Sequence, residues 1–197
     1  MDLRYPIGEF KYEKPLSDHE REACIAKIEE TPARMRAAVA GLNDEQLDTP
    51  YRPEGWTVRQ VVHHVPESHL TSYTRFKLAI TEDEPTVKPY FGDRWAQLDD
   101  ARQAPIALSL DLLDALHGRW IWFLRSLKPD DFQRTYRHPE LGTVTLDKAA
   151  ALYAWHGPHH VAQITSLRER NGWSETGPAA KGRSRMHASA CGSPVSS

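Results

Sequence analysis

The chain has 197 residues and nearly balanced charge, with 25 Lys and Arg against 27 Asp and Glu. A chain of that length can form one domain with a substantial core. The balanced charge does not indicate binding to nucleic acid or to an anionic membrane. The apolar run at residues 120–124 is far too short to span a bilayer. The first residues lack the basic and apolar regions of a signal peptide, and Cys24 and Cys191 cannot build a disulfide framework. We therefore expect a cytoplasmic protein without a nucleic-acid or membrane partner.

The chain is predicted to begin with an extended arm over residues 1–16, which three breakers interrupt: Pro6, Gly8 and Pro15. Ser17 and Glu20 form a capping-box pattern, which predicts the start of the first long helix. Apolar residues at helical spacing extend that helix to about Gly41. Pro32 lies inside it and predicts a kink or a brief break just before the proline.

A second capping box, Thr57 with Gln60, predicts the start of the second long helix, which runs to about Ile80. This helix contains Pro66. Because proline has no N–H, it should bend the helix and leave the carbonyl of Val62 without its usual donor.

A long connection is predicted between the second and third long helices, over residues 81–105, and its prolines and glycine argue against another long helix there. The third helix is predicted over residues 106–127, with Leu108 and Leu112 on its apolar side. A small hairpin-like excursion follows, and the fourth long helix covers residues 146–170.

Four long helices predict an all-α fold, a four-helix bundle over residues 17–173. The composition of residues 174–197 turns to Gly, Ser, Ala and Pro, which predicts a disordered tail. Bundles of this kind commonly hold metal ions between facing helices, so the distribution of possible ligands matters.

Histidines are concentrated in two short windows. His156 and His160 are four residues apart on a predicted helix, and residues at that spacing lie on one face, one turn apart. Two such imidazoles can bind one metal ion. An upstream window on another helix contains His63, His64 and His69, and each is a candidate for a third ligand. The residues alone leave that choice open.

A site with three protein ligands and one open position is the pattern of catalytic zinc, and imidazoles also suit nickel. A glutamate between the histidines of one helix is absent, and Glu67, one turn beyond the adjacent histidine pair, is a candidate base, a partner of a ligand, or a solvated carboxylate. His159 is predicted to point away from the site. His69 and His117 are more consistent with structural or surface roles, and His138 with a position near the bundle mouth.

Several segments together resemble the YfiT branch of the DinB superfamily, from about residue 5 to residue 173. The segments are Tyr-Pro-Ile-Gly-Glu at 5–9, Leu-Asp-Thr-Pro-Tyr-Arg at 47–52, Gly-Trp-Thr-Val-Arg-Gln-Val-Val-His-His at 55–64, Arg-Phe-Lys-Leu at 75–78, His-Gly-Arg-Trp at 117–120 and Leu-Tyr-Ala-Trp-His at 152–156, the last followed by the His pair at 159–160.

The resemblance implies a DinB/YfiT-type bundle that holds one zinc or nickel ion per subunit through His64, His156 and His160. It also implies a cytoplasmic homodimer with a small-molecule substrate. The sequence departs from the family at Pro66 and Glu67, where Ala-Asp is more usual, and at Gln163, where a further histidine is common.

Three functions follow as expectations. The first is a metal-dependent hydrolase, in which a three-histidine site activates water and Glu67 handles protons or supports a ligand. The second is a metal-dependent thiol S-transferase of detoxification, because the superfamily includes enzymes that transfer low-molecular-weight thiols such as bacillithiol. The third is a non-catalytic bundle that a metal ion stabilises.

Overall fold

The computed structural model describes residues 2–173, and the predicted tail lies outside the described residues. The predicted four-helix bundle is confirmed. Its long helices are α1 (Asp18–Val39), α3 (Val58–Thr81), α6 (Ile106–Ser126) and α7 (Leu146–Asn171). Three short helices lie between them: α2 (Asp44–Leu47), α4 (Gly92–Trp95) and α5 (Asp99–Gln103). Within the described part of the chain, none of the helices combines the length and the hydropathy needed to cross a membrane.

The excursion before α7 is a two-stranded antiparallel hairpin, as predicted. After a 3-10 turn (Pro129–Gln133), β1 (Thr135–His138) pairs with β2 (Gly142–Thr145), and Tyr136 lies opposite Val144. These two side chains are buried against the end of the bundle, so the hairpin caps the core.

Local sequence signals set the ends of the long helices. The Ser17–Glu20 and Thr57–Gln60 capping boxes are both formed, with reciprocal side-chain and backbone hydrogen bonds. At the other end of the chain, Gly172 terminates α7 in the left-handed conformation, with φ of 64°.

Prolines are accommodated inside three of the long helices, at Pro32, Pro66 and Pro158. A kink or a brief break was predicted before Pro32, and the break is wrong, because α1 is one continuous helix that ends at Val39. Tertiary packing on both sides of the proline outweighs the loss of a single helical hydrogen bond. Each proline nevertheless leaves the carbonyl four residues earlier without its helical donor.

The core consists of two apolar clusters separated by a polar layer. One cluster contains Ile25 and Ile28 of α1 and Tyr153 and Ala154 of α7, and the other contains Met35 of α1 together with residues further along α7. His69 of α3, His117 of α6 and the histidines of α7 lie between the two clusters along their helices. His63 and His64 lie among the α3 valines of the second cluster.

The order in which each helix passes through the two clusters gives its direction. Helices α1 and α7 run one way, and α3 and α6 run the other way. The principal packing pairs are α1 with α7, α3 with α6, α1 with α6 and α3 with α7. Since α3 and α6 are parallel neighbours, the chain must return along the bundle between them. This return explains the long connection at residues 82–105, which carries α4 and α5 and packs on α3.

The outer face of α6 is more apolar than a solvated surface requires. Leu108 and Leu112 do not join the core as predicted, because they are 64% and 44% exposed. Trp122 on the same helix is 82% exposed. The apolar stripe of α6 is wider than the part that the bundle covers, so helical spacing alone assigned these leucines to the wrong side.

The predicted N-terminal arm lies along α7. The buried carboxylate of Asp147 accepts hydrogen bonds from the Tyr12 hydroxyl at 2.9 Å, the Leu16 amide at 2.7 Å and the Arg21 Nε at 3.0 Å. Further along α7, Trp155 Nε1 donates to the Gly8 carbonyl at 3.1 Å. These contacts hold the arm against the helix that carries two of the candidate ligands.

Candidate metal centre

The structure brings together three histidines from two helices. His64 comes from α3, and His156 and His160 come from successive turns of α7. One ligand atom of each lies within 4.8 Å of the others. The Nε2 atom of His156 is 3.4 Å from Nε2 of His64 and 3.3 Å from Nε2 of His160.

These separations match the requirements of a tetrahedral metal ion. Zinc binds imidazole nitrogen at about 2.0–2.1 Å, so two ligands at the tetrahedral angle lie about 3.4 Å apart. The two measured Nε2 separations agree with that value. Unprotonated Nε2 atoms at these separations would repel one another through their lone pairs, and a divalent ion held between them would remove that repulsion. The three side chains therefore fit one divalent ion and leave a fourth position open.

The ring of His160 is oriented by its neighbour Gln163. The amide nitrogen of Gln163 donates to the Arg4 carbonyl at 3.1 Å and to Nε2 of His159 at 3.0 Å. The amide oxygen therefore faces His160 Nδ1, at 2.9 Å, and can only accept. Nδ1 of His160 must carry the proton, and its Nε2 is left with a lone pair for a metal.

The ring of His64 is oriented by residues that lie far apart in the sequence. Tyr90, from the long connection, donates its hydroxyl proton to Glu67 Oε2 at 3.0 Å. Its oxygen, 3.1 Å from His64 Nδ1, is then the acceptor for that ring. His64 is thus also protonated on Nδ1, with the Nε2 lone pair directed into the site. Glu67 reaches the candidate centre through Tyr90.

Burial favours the neutral, ligand form of all three imidazoles. Desolvation, reinforced by the charge of His159, lowers the pKa of His64 to about 3. Desolvation is also the largest cause that holds the pKa values of His156 and His160 well below the usual range. The same effect raises the pKa of the half-buried Glu67 carboxyl above its ordinary value, partly opposed by the Tyr90 hydrogen bond.

A cavity of about 290 Å³ opens onto His64 and His160. Trp56 and Tyr5 line it with aromatic surface, and charged side chains of both signs stand around it: Arg4, Arg52, Glu54 and Asp93. Larger cavities of about 580 and 590 Å³ lie on other faces of the bundle and do not reach the three histidines. The smaller cavity is the one from which a substrate would reach the site.

The remaining histidines take other roles. His63, adjacent to His64, points away from the three histidines and contacts Ser109 Oγ at 2.7 Å and the Ala104 carbonyl at 3.1 Å. His138 accepts from backbone amides at the hairpin turn and is not among the residues that line the cavity at the three histidines. His159 is buried beside His160, stacked on Trp155 with ring centroids 4.3 Å apart.

The roles of two residues at the site were not predicted from the sequence. Gln163 was named only as a departure from the family, although its position three residues after His160 on the same helix face was a usable signal. Tyr90 had none, because it lies in an irregular connection 26 residues from the histidine that it contacts. Cys24 is partly buried against the first apolar cluster, and burial raises the pKa of its thiol.

The described residues form a helical bundle in which three imidazoles converge and could hold a metal ion. The sequence matches the DinB superfamily over residues 27–164. The chain belongs to the DinB superfamily.

Two similar proteins carry names that refer to a metal-dependent activity. A protein of Bacillus cereus strain B4264, named "Putative metal-dependent hydrolase", is 52% identical over 172 residues, which cover 87% of this chain and 99% of that protein. The structure of YfiT from Bacillus subtilis, described as a probable metal-dependent hydrolase with an unusual four-helix bundle topology, is 47% identical. It superposes with a TM-score of 0.86 over 88% of this chain and 100% of YfiT.

A more distant structure, the four-helix bundle protein TT2238, shares the fold at 16% identity and a TM-score of 0.51, over 74% of this chain and 98% of that one.

Proposed function

We propose that this protein is a metal-dependent hydrolase with one zinc or nickel ion per chain, held by His64, His156 and His160. The observation that carries the proposal is that Nε2 of His156 lies at tetrahedral spacing from Nε2 of His64 and from Nε2 of His160, beside a cavity. A divalent ion held there acts as a Lewis acid and lowers the pKa of water at its open position. The names of the relatives support the same reaction class.

The chain's own residues provide the rest of the site. Gln163 and Tyr90 hold two of the ligand rings in the tautomer that presents Nε2. Trp56 packs its ring 4.6 Å from that of His64 and provides an apolar wall at the mouth. Arg4 and Arg52 stand at the same cavity and provide positive charge for a substrate that carries an anionic group.

For Glu67, the contacts favour support of a ligand over direct action as a base. Its carboxylate accepts from Tyr90, which in turn faces His64. It is not among the residues that line the cavity at the site. We propose that Glu67 acts through Tyr90 to hold His64 in position. Glu67→Gln should then weaken metal binding about tenfold, whereas loss of a base would lower turnover and leave the affinity for metal unchanged.

The reaction class is tested with metal-loaded protein. Zinc- and nickel-loaded samples are incubated with a panel of small esters and amides, beside metal-free protein. Hydrolysis should require metal, should be lost in His156→Ala and should persist in His63→Ala. His63 is a matched control because it is a buried histidine on α3 that faces away from the site.

The same samples separate the alternatives. An electrophile is added with low-molecular-weight thiols, and conjugate formation is followed. Thiol-dependent, metal-dependent conjugation without any hydrolysis would replace the hydrolase with the thiol S-transferase. Neither reaction, together with a higher unfolding temperature on metal loading, would leave a bundle that the metal only stabilises.

We also propose that the chain forms a homodimer through the outer face of α6. The exposed apolar side chains Leu108, Leu112 and Trp122 support this. Trp122→Glu should shift the protein to the monomer in light scattering coupled to size exclusion. A dimer that persists in this variant would exclude that face.

A further inference from the structure

A chain of buried imidazoles runs from the candidate metal centre into the bundle. His156 Nδ1 lies 3.0 Å from His69 Nε2, and His69 Nδ1 lies 2.8 Å from His117 Nε2. His117 Nδ1 lies 2.7 Å from the carbonyl oxygen of Ile28 on α1. His69 and His117 are 0% and 2% exposed, so both depend on these contacts for their hydrogen bonds.

The chain ends on a carbonyl that the sequence leaves available. In a regular helix, the carbonyl of Ile28 would accept from the amide of the residue four positions later. That residue is Pro32, which has no N–H. The proline inside α1 therefore exposes an acceptor toward α6, and the His117 Nδ1–H occupies it.

A carbonyl oxygen can only accept, which gives the chain a direction. His117 must carry its proton on Nδ1, so in the neutral ring Nε2 accepts from His69. His69 must then be protonated on Nδ1, and its Nε2 accepts from His156 Nδ1–H. An imidazolium in this chain would place a charge in the core, and burial lowers the pKa of His117 to about 4. His156 is thus left with a lone pair on Nε2, the atom that faces the two other ligands.

We propose that His69 and His117 are positioning residues of the metal centre, which fix the tautomer of His156 from the carbonyl of Ile28. The other two ligands receive this help nearer the site, from Gln163 and Tyr90. His156 is turned toward the interior, so its acceptor is His69 of α3. The tautomer of His69 is set by His117 of α6, and that of His117 is set by the Ile28 carbonyl of α1. This inference rests on the proposed metal site, and its consequences are for metal affinity and tautomer state rather than for the choice of reaction.

The tautomers are measured directly by long-range proton–nitrogen NMR on metal-free, nitrogen-15-labelled full-length protein. In the wild type, His69, His117 and His156 should each show the Nδ1–H pattern. In His117→Leu, the Nδ1–H of His69 loses its acceptor, and His69 should shift toward the Nε2–H form. Zinc affinity, from competition with a chromophoric chelator, should fall about 10- to 100-fold.

A conservative variant separates positioning from packing. In His117→Gln, the amide can accept from His69 and donate to the Ile28 carbonyl, so the direction of the chain is kept. Its zinc affinity should stay within about threefold of the wild type, with His69 still protonated on Nδ1. Leu124→Ala, a fully buried change two turns further along α6, should destabilise the fold by about 2–5 kcal/mol and leave both readouts unchanged.

Three results would overturn the proposal: an Nε2–H pattern for His69 in the wild type, unchanged zinc affinity in His117→Leu, or an equal loss of affinity in Leu124→Ala. If His117→Leu does not fold, the wild-type tautomers and the His117→Gln affinity still decide the question. A protein that shows the expected Nδ1–H tautomers and binds zinc, but hydrolyses no ester or amide, would refute the proposed function. It would leave this inference unaffected.

Discussion

The packing of α1 against α7 makes a sharp prediction at Gly157, which follows His156. A Cβ at this position would lie 2.4 Å from Thr31 Oγ1 and 2.6 Å from Thr31 Cγ2. Thr31 is fully buried, is branched at Cβ, and donates its hydroxyl proton to the Lys27 carbonyl at 3.0 Å. It cannot rotate away without loss of that bond, so Gly157→Ala must push the two helices apart.

The expected size of the effect follows from two opposing terms. Overpacking of this kind costs about 1–3 kcal/mol, and the contact distances place this case at the upper end. Alanine regains about 1 kcal/mol of helix propensity over glycine. The free energy of unfolding of Gly157→Ala should therefore fall by about 2 kcal/mol, measured by urea unfolding of metal-free protein.

A double-mutant cycle tests the cause. Thr31→Ala removes both close atoms and leaves Cβ, which is 3.1 Å from the position that the new methyl group would take. In that background, Gly157→Ala should cost at least about 1 kcal/mol less than in the wild type. An equal cost in both backgrounds, or a neutral effect of Gly157→Ala alone, would refute the close approach of the two helices.

Three further predictions concern buried or capping charges. Asp147→Ala should lower the free energy of unfolding by about 3 kcal/mol, because it leaves the buried Arg21 guanidinium without its interior partner. The free energy of unfolding of the metal-free protein should fall by about 2 kcal/mol between pH 7 and pH 5 because of His117 alone. The pKa of His117 is about 4 in the folded state and lies below the unfolded value, so protonation favours the unfolded state. His117→Gln should remove this part of the pH dependence. Hydrogen bonds from Ser17 lower the pKa of Glu20, so the stabilisation from this carboxylate is present above the unfolded pKa and is lost as pH falls through the lowered folded pKa. Glu20→Gln should remove this acid-dependent part of the unfolding free energy.

The sequence could predict the long helices because their signals are local. Capping boxes, apolar spacing and the terminal Gly172 lie within a few residues of the ends that they set. The direction of each helix and the need for a long return between α3 and α6 were not predictable in this way. They depend on which apolar clusters the helices share, and that is a property of the whole bundle.

At the candidate site, too, local features were predictable and long-range ones were not. Spacing on one helix predicted that His156 and His160 would meet, but spacing could not choose between His63 and His64. Their side chains diverge along α3, and only the positions of α7 and of the 82–105 connection decide which one faces His156. The resemblance to the DinB superfamily implied that His64 is the third ligand. The contact between His64 and Tyr90 could be found only from the folded structure, because Tyr90 lies in the 82–105 connection.

Pro32 is the residue whose role changed most between sequence and structure. Its local effect predicted a kink or a brief break in α1, and the helix is not broken. The physical reason behind the expectation was sound, because the carbonyl of Ile28 does lack a helical donor. Local reasoning could not predict that His117 of α6 donates to this carbonyl in place of a helical amide.

The central claim is that His64, His156 and His160 together hold one metal ion. The most direct test is the metal content of purified protein by elemental analysis, for the wild type, His64→Ala and His63→Ala. The account predicts close to one zinc or nickel per chain in the wild type and in His63→Ala, and almost none in His64→Ala. Metal retained in His64→Ala and lost in His63→Ala would contradict it.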